Sequence, residues 1–179
     1  VAERRKATMI RDYSITILRG IFLLLLQGLV LNNLPLGTYF QPYLYVMFII
    51  LLPFETPNWM ILPLSFFYGL ILDSFTNTYG LHASACTFLA WNRPQFLRLF
   101  APRDGYDAAT LPGIQAYGFN WFISYAGSLI LMHHIVFFLL EAFRFEGIGH
   151  TLLRCLGSAS FTLFLAIIAQ YLFLRPQTR

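Results

Sequence analysis

The chain has 179 residues, enough for one domain, and its composition excludes an ordinary soluble protein. Hydrophobic residues make up 58% and charged residues 11%, whereas soluble domains have roughly 45–50% and about 25%. The net charge of +4 does not indicate nucleic-acid binding, because the basic residues gather at the chain ends and in one connection instead of forming a stripe. The composition therefore predicts a protein of the lipid bilayer with no nucleic-acid partner.

Long charge-free stretches contain the predicted membrane spans. A helix needs roughly 20 mostly apolar residues to cross a bilayer, and turn residues divide the stretches into six predicted helices, with five as the fallback. The helices cover residues 13–32, 42–54, 59–73, 79–91, 117–140 and 151–174. The second, third and fourth are shorter than the roughly 30 Å hydrocarbon core. We expect these three to thin the bilayer, to be shielded by longer helices, or to cross it incompletely.

This pattern predicts an all-α, polytopic membrane protein with one transmembrane domain over residues 13–174. Residues 1–12 are predicted to form an N-terminal tail, of which 1–8 are a candidate upstream segment because Met9 could be the natural start. Residues 175–179 form a C-terminal tail. Basic residues are concentrated in both tails and in the segment 92–107, which is amphipathic and is predicted to lie along the membrane surface. The positive-inside rule then places both termini in the cytoplasm.

Ionisable side chains inside the predicted spans are the candidate functional residues, because such groups are costly in a bilayer. The predicted topology brings six of them to the outer third of the membrane: Asp73, His82, His133, His134, Glu141 and Arg154. We expect a structural network in which Asp73 or Glu141 pairs with Arg154 or with a histidine. A docking patch for another membrane protein, and a metal or proton-transfer site, are the alternatives.

No catalytic pattern accompanies these residues in the sequence. The adjacent His133 and His134 differ by about 100° around a helix, so both rings do not easily face one point. The zinc-protease pattern H-E-x-x-H, the nucleophile elbow G-x-S-x-G and the P-loop are absent from the sequence. Cys86 and Cys155 lie far apart in apolar runs, which favours buried thiols over a disulfide or metal pair. We therefore expect neither enzymatic activity nor a cofactor.

Small residues mark two candidate packing faces. Gly69 and Asp73 are four residues apart and share one face of the third predicted helix, so a neighbouring helix can come close to the carboxylate. Further small residues occur at 83–85 and 157–160. Ordinary helix packing is the simpler interpretation, and a docking face for another chain's span is the alternative.

The order of several motifs resembles the MreD family of rod-shape-determining membrane proteins. The motifs are P-Y-L-Y-V-M-F-I-I-L-L-P at residues 42–53, F-F-Y-G-L-I-L-D at 66–73 and Y-G-L-H-A-S-A at 79–85. W-N-R-P at 91–94 and M-H-H-I-V-F-F-L-L-E-A-F at 132–143 resemble the Bacteroidota branch of that family. The positions that match the general pattern are Pro53, Gly69, Asp73 and Gly80. The positions that match the branch pattern are His82, Arg93, Pro94, His134 and Glu141.

The resemblance implies a non-enzymatic scaffold of the bacterial inner membrane that supports lateral peptidoglycan synthesis. Its implied partner is MreC, with indirect links to MreB and to the RodA–penicillin-binding-protein synthase, and homo-oligomerisation stays open. The implied fold is similar to the S-components of energy-coupling-factor transporters. The alternative function is therefore a small-molecule (vitamin) binding subunit of a membrane transporter.

Overall fold

The structure is a computed structural model that describes residues 2–37, 39–107, 110–143 and 148–172, with side chains from Ser14 onward. The predicted C-terminal tail and the basic side chains of the N-terminal tail lie outside this description. Every regular element within the described ranges is helical. The α-helices are α1 (Ala2–Leu25), α2 (Met47–Ile50), α3 (Asn58–Thr76), α4 (Leu81–Leu99), α5 (Ile114–Tyr117), α6 (Phe119–Ala142) and α7 (Ile148–Leu172).

Among the residues that the structure describes, four helical segments are long and apolar enough to cross a membrane. They are Ser14–Asn33, which joins the second half of α1 to the π turn Leu26–Val30 and the 3₁₀ turn Leu31–Asn33, and the helices α3, α6 and α7. Large apolar side chains, among them Leu18, Phe67 and Leu153, are exposed on their outer faces. A soluble protein rarely exposes such extensive apolar surface, which agrees with the prediction of a lipid-embedded, all-helical domain.

The second predicted span is much shorter as a helix than the sequence predicts. Helical structure covers only the 3₁₀ turn Leu44–Val46 and α2, about 10 Å of rise for seven residues. The chain on both sides is extended or irregular, and residues 42–52 are all buried. We call residues 39–53 the inner segment. It packs against α1, α4 and α7 and provides much of the core.

The fourth predicted span is longer than expected and changes the position of Arg93. The sequence predicts a helix that ends at residue 91 and a surface segment from 92 to 107, but α4 continues through Leu99. Pro94 lies inside this helix, and Arg93 is only 1% exposed. The start of the predicted surface segment is therefore part of the helical bundle. The guanidinium group of Arg93 can be buried in the bundle because backbone carbonyl groups accept its hydrogen bonds.

The helices α3 and α4 approach each other closely at Gly69. A β-carbon at this position would lie 2.6 Å from the Cα atom of Ala83 and 2.6 Å from the carbonyl oxygen of His82. Real Cβ atoms do not come this close to backbone, so only glycine permits the observed spacing of the two helices. Ala83, one of the small residues at 83–85, lies against Gly69 of α3. This contact agrees with the simpler interpretation of these small residues, which is helix packing within the chain.

We expect Gly69→Ala to destabilise the fold by about 1–3 kcal/mol, because the added methyl group must push α4 away from α3. The matched control is Gly149→Ala in the first turn of α7, where a β-carbon would meet nothing within 4 Å. Thermal or denaturant-induced unfolding in detergent micelles measures both. Equal stability of the two variants would contradict the close packing of α3 on α4.

Candidate functional site

A pocket of about 320 Å³ lies at one end of the bundle, which we call the pocket end. It is enclosed by the end of the first membrane segment, by the loop that leads to the inner segment, by the turn between α3 and α4, and by the end of α6. Its polar or aromatic lining includes Asn32, Gln41, Thr76, His82, Phe137 and Glu141. Two of the polar residues that the sequence singled out, His82 and Glu141, therefore line this pocket.

Asp73 caps the N-terminus of α4 from a distance of nine residues. Its Oδ1 accepts hydrogen bonds from the backbone N–H of His82 at 3.0 Å and from the hydroxyl of Thr78 at 2.7 Å. Its Oδ2 accepts one from the backbone N–H of Ala83 at 3.0 Å. The first N–H groups of a helix have no partner within the helix, and a negative charge near them is favourable. The carboxylate therefore joins α3 to α4 and does not pair with Arg154.

Gly80 explains why the cap must come from another helix. It is the N-cap residue of α4 and has no side chain to accept a hydrogen bond. Its φ angle of +85° lies in the left-handed region that favours glycine. The turn therefore uses glycine for its backbone shape and Asp73 for the hydrogen bonds that an N-cap side chain would otherwise make.

His82 belongs to a buried hydrogen-bond chain that the sequence did not reveal. The hydroxyl of Tyr45 lies 2.7 Å from Nδ1 of His82 and 2.9 Å from Nε2 of His133. All three side chains are at most 2% exposed. Nδ1 of His133 has no hydrogen-bond partner in the described part of the chain. The chain links α4, the inner segment and α6 through one hydroxyl group.

His134 has different partners from its neighbour, in agreement with the helical geometry of adjacent residues. Its Nδ1 lies 2.8 Å from the carbonyl oxygen of Ile130, and its Nε2 lies 3.1 Å from Oγ1 of Thr162 on α7. Since a carbonyl only accepts, Nδ1 carries the proton and donates it. In the neutral imidazole, Nε2 is then an acceptor, and the one hydroxyl proton of Thr162 is shared between this nitrogen and the carbonyl oxygen of Ser158, which lies 2.8 Å from Oγ1. His134 thereby holds α6 to α7.

Glu141 and Arg154 form the ion pair that the sequence expected as one option. Nη2 of Arg154 lies 3.3 Å from Oε2 of Glu141, and both side chains are partly exposed. The guanidinium group also lies 4.9 Å from the ring centre of Phe138 and donates to Oε1 of Gln41 at 3.4 Å. This pair therefore connects the ends of α6 and α7 with the inner segment at the pocket end.

Side chains of the neighbouring helical elements form hydrogen bonds with the backbone of the inner segment where it enters the bundle. Its backbone N–H groups at Gln41 and Tyr43 donate to the hydroxyls of Ser158 at 3.0 Å and Thr162 at 2.9 Å. The carbonyl of Pro42 accepts from Nε2 of Gln27 at 2.8 Å. Ser158 and Thr162 are four residues apart on one face of α7, so each meets an alternate residue of an extended chain.

The candidate docking face at residues 157–160 is thus partly occupied by the chain itself. A β-carbon at Gly157 would lie 2.7 Å from the carbonyl oxygen of Tyr39. This glycine lets the inner segment lie directly on α7.

At the opposite end, Arg93 serves the last carbonyl groups of the inner segment. Its Nη2 donates to the carbonyl oxygen of Leu52 and, at 3.4 Å, to that of Pro53. The hydroxyl of Tyr125 donates to the carbonyl of Ile50 at 3.1 Å. A buried carbonyl without a partner is costly, so Arg93 acts here as a hydrogen-bond donor to backbone. This contact therefore joins Arg93 to Pro53, and both are positions that match the MreD-like motifs.

An aromatic cluster closes the same end of the bundle. The ring of Phe54 stacks on Tyr106 with centres 4.4 Å apart, and Trp121 stacks on Tyr125 at 4.8 Å. Partial burial raises the pKa of Tyr106 above its ordinary value of 10.0. Its hydroxyl therefore keeps its proton and donates to the carbonyl of Leu97 at 2.7 Å.

Both cysteines are buried and unpaired, as the sequence favoured: Cys86 on α4 and Cys155 on α7. Across the described ranges, no group of three or more His, Cys, Asp or Glu side chains is arranged to hold a metal ion. The charged and imidazole groups of the pocket end are instead hydrogen-bonded to backbone, to hydroxyls or to each other.

Sequence reasoning missed Gln27, Tyr45, Ser158 and Thr162. Each is an uncharged polar residue inside an apolar stretch, and that is the signal that could have drawn attention to them. Their partners were not predictable, because the contacts of Ser158 and Thr162 join residues 117 and 119 positions apart in the sequence.

Over the described residues, the fold and the site together define an all-helical protein with four helices long and apolar enough to cross a membrane and a polar pocket at one end. Comparisons with protein-family models, with curated proteins and with solved structures give no match to this chain.

We expect Asp73→Asn to destabilise the fold by about 1 kcal/mol, since an amide oxygen can replace Oδ1 but an amide nitrogen cannot accept from Ala83. Asp73→Leu removes all three hydrogen bonds and should cost about 2 kcal/mol or more. Both should leave membrane insertion intact. Unfolding in micelles measures the effect, with Ser74→Ala on the exposed face of α3 as the control. A silent Asp73→Leu variant would rule out the capping role.

We expect Arg93→Leu to cost about 2–4 kcal/mol, because it removes the guanidinium donor from the buried carbonyl of Leu52, whereas the carbonyl of Pro53 keeps its hydrogen bonds from Thr56. Arg98→Leu is the matched control: the same residue type on the same helix, but exposed. Unfolding in micelles compares the two. Arg93→Lys should recover only part of the loss, because an ammonium group cannot reproduce the reach and planar geometry of guanidinium. Equal losses at positions 93 and 98 would argue against this contact.

Proposed function

We propose that the chain is an MreD-like, non-enzymatic scaffold of the bacterial inner membrane that binds MreC and supports lateral peptidoglycan synthesis. The order of its motifs carries this proposal. The structure adds a physical reason for their residue types. Gly69 sets the spacing of α3 and α4, Asp73 caps α4, Gly80 shapes the turn between them, and Pro53 lies at the contact with Arg93. Three separated motif positions thus serve the packing of α3 on α4, and the fourth lies where the inner segment meets α4, as expected of residues that define a family fold.

Six membrane passes are supported by the distribution of helix ends. Asn32 and Thr76 both line the pocket, so the first membrane segment and α3 end on the same side. The chain must therefore return to the opposite end between them, and the inner segment makes that return. The helix α4 begins at the pocket with His82, α6 ends there with Glu141, and α7 leads back to the contact of Gln170 with Ile114.

The inner segment could make its pass without a full-length helix because it is buried among the other passes. Irregular backbone is tolerated at membrane depth only when protein groups satisfy its hydrogen bonds. The bonds from Ser158, Thr162, Gln27, Tyr125 and Arg93 meet that requirement. With six passes and basic residues concentrated in the two tails and near residues 93–103, both termini are cytoplasmic and the pocket end is the outer side.

A second candidate function, a vitamin-binding subunit similar to the S-components of energy-coupling-factor transporters, is favoured by the pocket of about 320 Å³. The two functions are separated by what the purified chain does alone. Saturable binding of a vitamin without any partner would favour the transporter subunit, and stable association with MreC would favour the scaffold. The indirect partners MreB and the RodA–penicillin-binding-protein synthase, and homo-oligomerisation, belong to the scaffold proposal.

We expect the chain to co-purify with MreC when both are made in the same cells and extracted in mild detergent. Tyr79 is fully exposed on the turn between α3 and α4 at the pocket end, and Tyr79→Ala should lower the recovered MreC several-fold. Trp59→Ala is the matched control, an exposed aromatic residue at the other end of α3, and should leave recovery unchanged. Failure of the unsubstituted chain to retain MreC would overturn the scaffold proposal.

A further inference from the structure

The pocket lies at the depth where lipid headgroups are found. Three of its lining residues stand at the ends of candidate membrane segments: Asn32 is one residue before the end of the first, Thr76 ends the second, and Glu141 is one residue before the end of the third. The ends of membrane helices meet the interfacial layer that contains the polar headgroups. A ligand of this pocket therefore comes from the interface.

The pocket lining combines exposed apolar side chains with polar groups. Leu34, Leu36 and Phe40 belong to the lining and are exposed, and we call them the apolar rim; Asn32 and Glu141 are exposed lining residues as well. Further polar residues of the lining are Thr76, Thr78 and His82. Polar groups beside an apolar rim fit an amphiphile, with its polar head at these groups and its acyl chains across the rim.

Glu141 is the charged residue among the described side chains that line the pocket. Nη2 of its partner Arg154 lies 3.3 Å from Oε2 and 3.4 Å from Oε1, but Arg154 is not part of the lining. Of the two members of the ion pair, the lining therefore contains the carboxylate. Its oxygens have lone pairs beyond those that face Arg154, and these can accept hydrogen bonds from a cationic head with N–H donors.

The hydrogen-bond chain beneath the pocket determines what His82 offers to a ligand. Tyr45 has one hydroxyl proton for two histidine nitrogens, so either His82 or His133 must donate an N–H to its oxygen. If His82 donates, the second nitrogen of neutral His133 is a buried N–H without an acceptor, which native proteins avoid. If His133 donates, its Nδ1 is only an unused acceptor. The second arrangement leaves His82 with a protonated Nε2.

His82 can therefore donate one hydrogen bond to a ligand. Its Nδ1 is taken by Tyr45 and its backbone N–H by Asp73, and its ring lines the pocket. Nε2–H is then the remaining donor of this residue. A phosphate or ester oxygen of a lipid head is an acceptor of the required kind.

We propose that the pocket binds the head of a phospholipid that carries a primary ammonium group, with the ammonium at Glu141 and an oxygen acceptor at Nε2 of His82. Phosphatidylethanolamine has this chemistry, whereas phosphatidylcholine has a quaternary ammonium with no N–H donor. The proposal depends on the chain lying in a membrane and is independent of MreC, so the failure of one leaves the other standing.

The test is a titration of the delipidated, purified chain in detergent micelles with dioleoyl phosphatidylethanolamine and with dioleoyl phosphatidylcholine, followed by native mass spectrometry. We expect the ethanolamine lipid to bind at least tenfold more tightly. Equal affinity of the two lipids, or no bound lipid, would overturn the proposal.

Two variants separate the role of the carboxylate from that of the ion pair. Both Glu141→Gln and Arg154→Gln break the ion pair, but only the first removes the charge that faces the ligand. We expect the lipid preference to disappear in Glu141→Gln and to persist in Arg154→Gln. The same response in both variants would contradict recognition by Glu141. Thermal unfolding without lipid checks that both variants are folded.

Soluble glycerophosphoethanolamine distinguishes a lipid from a free solute with the same head. We expect it not to displace the bound lipid at millimolar concentration, because it lacks the acyl chains that cross the apolar rim. Full displacement at the affinity of the lipid would show that the pocket takes a soluble molecule, and the lipid proposal would fail.

Discussion

The structure depends on the need to satisfy the backbone of a buried, largely non-helical segment. Residues 39–53 lie among the helices, and only seven of them, Leu44–Val46 and Met47–Ile50, are in helical turns. In an apolar environment each unpaired N–H or carbonyl group costs free energy. Side chains from four surrounding helical segments therefore form hydrogen bonds with successive backbone groups of this segment: Gln27, Arg93, Tyr125, Ser158 and Thr162. This requirement explains why Gln27, Arg93, Ser158 and Thr162 are buried in an otherwise apolar bundle.

The same constraint gives charged residues structural roles. Asp73 supplies the hydrogen bonds that Gly80 cannot, and the close contact at Gly69 brings the carboxylate within reach of the start of α4. Arg93 extends the principle to the other end of the bundle, where a guanidinium group serves two carbonyls of the inner segment. A charged side chain that forms several hydrogen bonds to backbone groups is held in one position and links the elements to which those groups belong. An unusual residue in a membrane segment can thus belong to the fold.

The pocket follows from the way the inner segment enters the bundle. The loop that leaves the first membrane segment must turn back toward α7, and the turn between α3 and α4 lies opposite to it. The space between them is bordered by helix ends, which carry polar groups, and by the apolar loop at Leu34–Leu36. Next to the pocket, the hydroxyl of Tyr45 forms hydrogen bonds with His82 and His133. These bonds determine which nitrogen of His82 carries the proton that faces a ligand. The polarity of this site therefore comes from the same packing that stabilises the core.

The sequence by itself determined the all-helical class and the long apolar segments at residues 13–32, 117–140 and 151–174, and it singled out Gly69, Asp73, Glu141 and Arg154, because hydropathy, charge and spacing are local properties. Even so, it predicted too long a helix at residues 42–54 and too short a span at 59–73, where α3 covers Asn58–Thr76, and it assigned Arg93 to the membrane surface. Local pattern describes an apolar run but not whether other helices will surround it, so these errors could not be corrected from the sequence. Only the tertiary structure decided that the inner segment is irregular, that Arg93 is its donor, and that Tyr45 joins His82 to His133. Each of these depends on partners at least 37 residues apart.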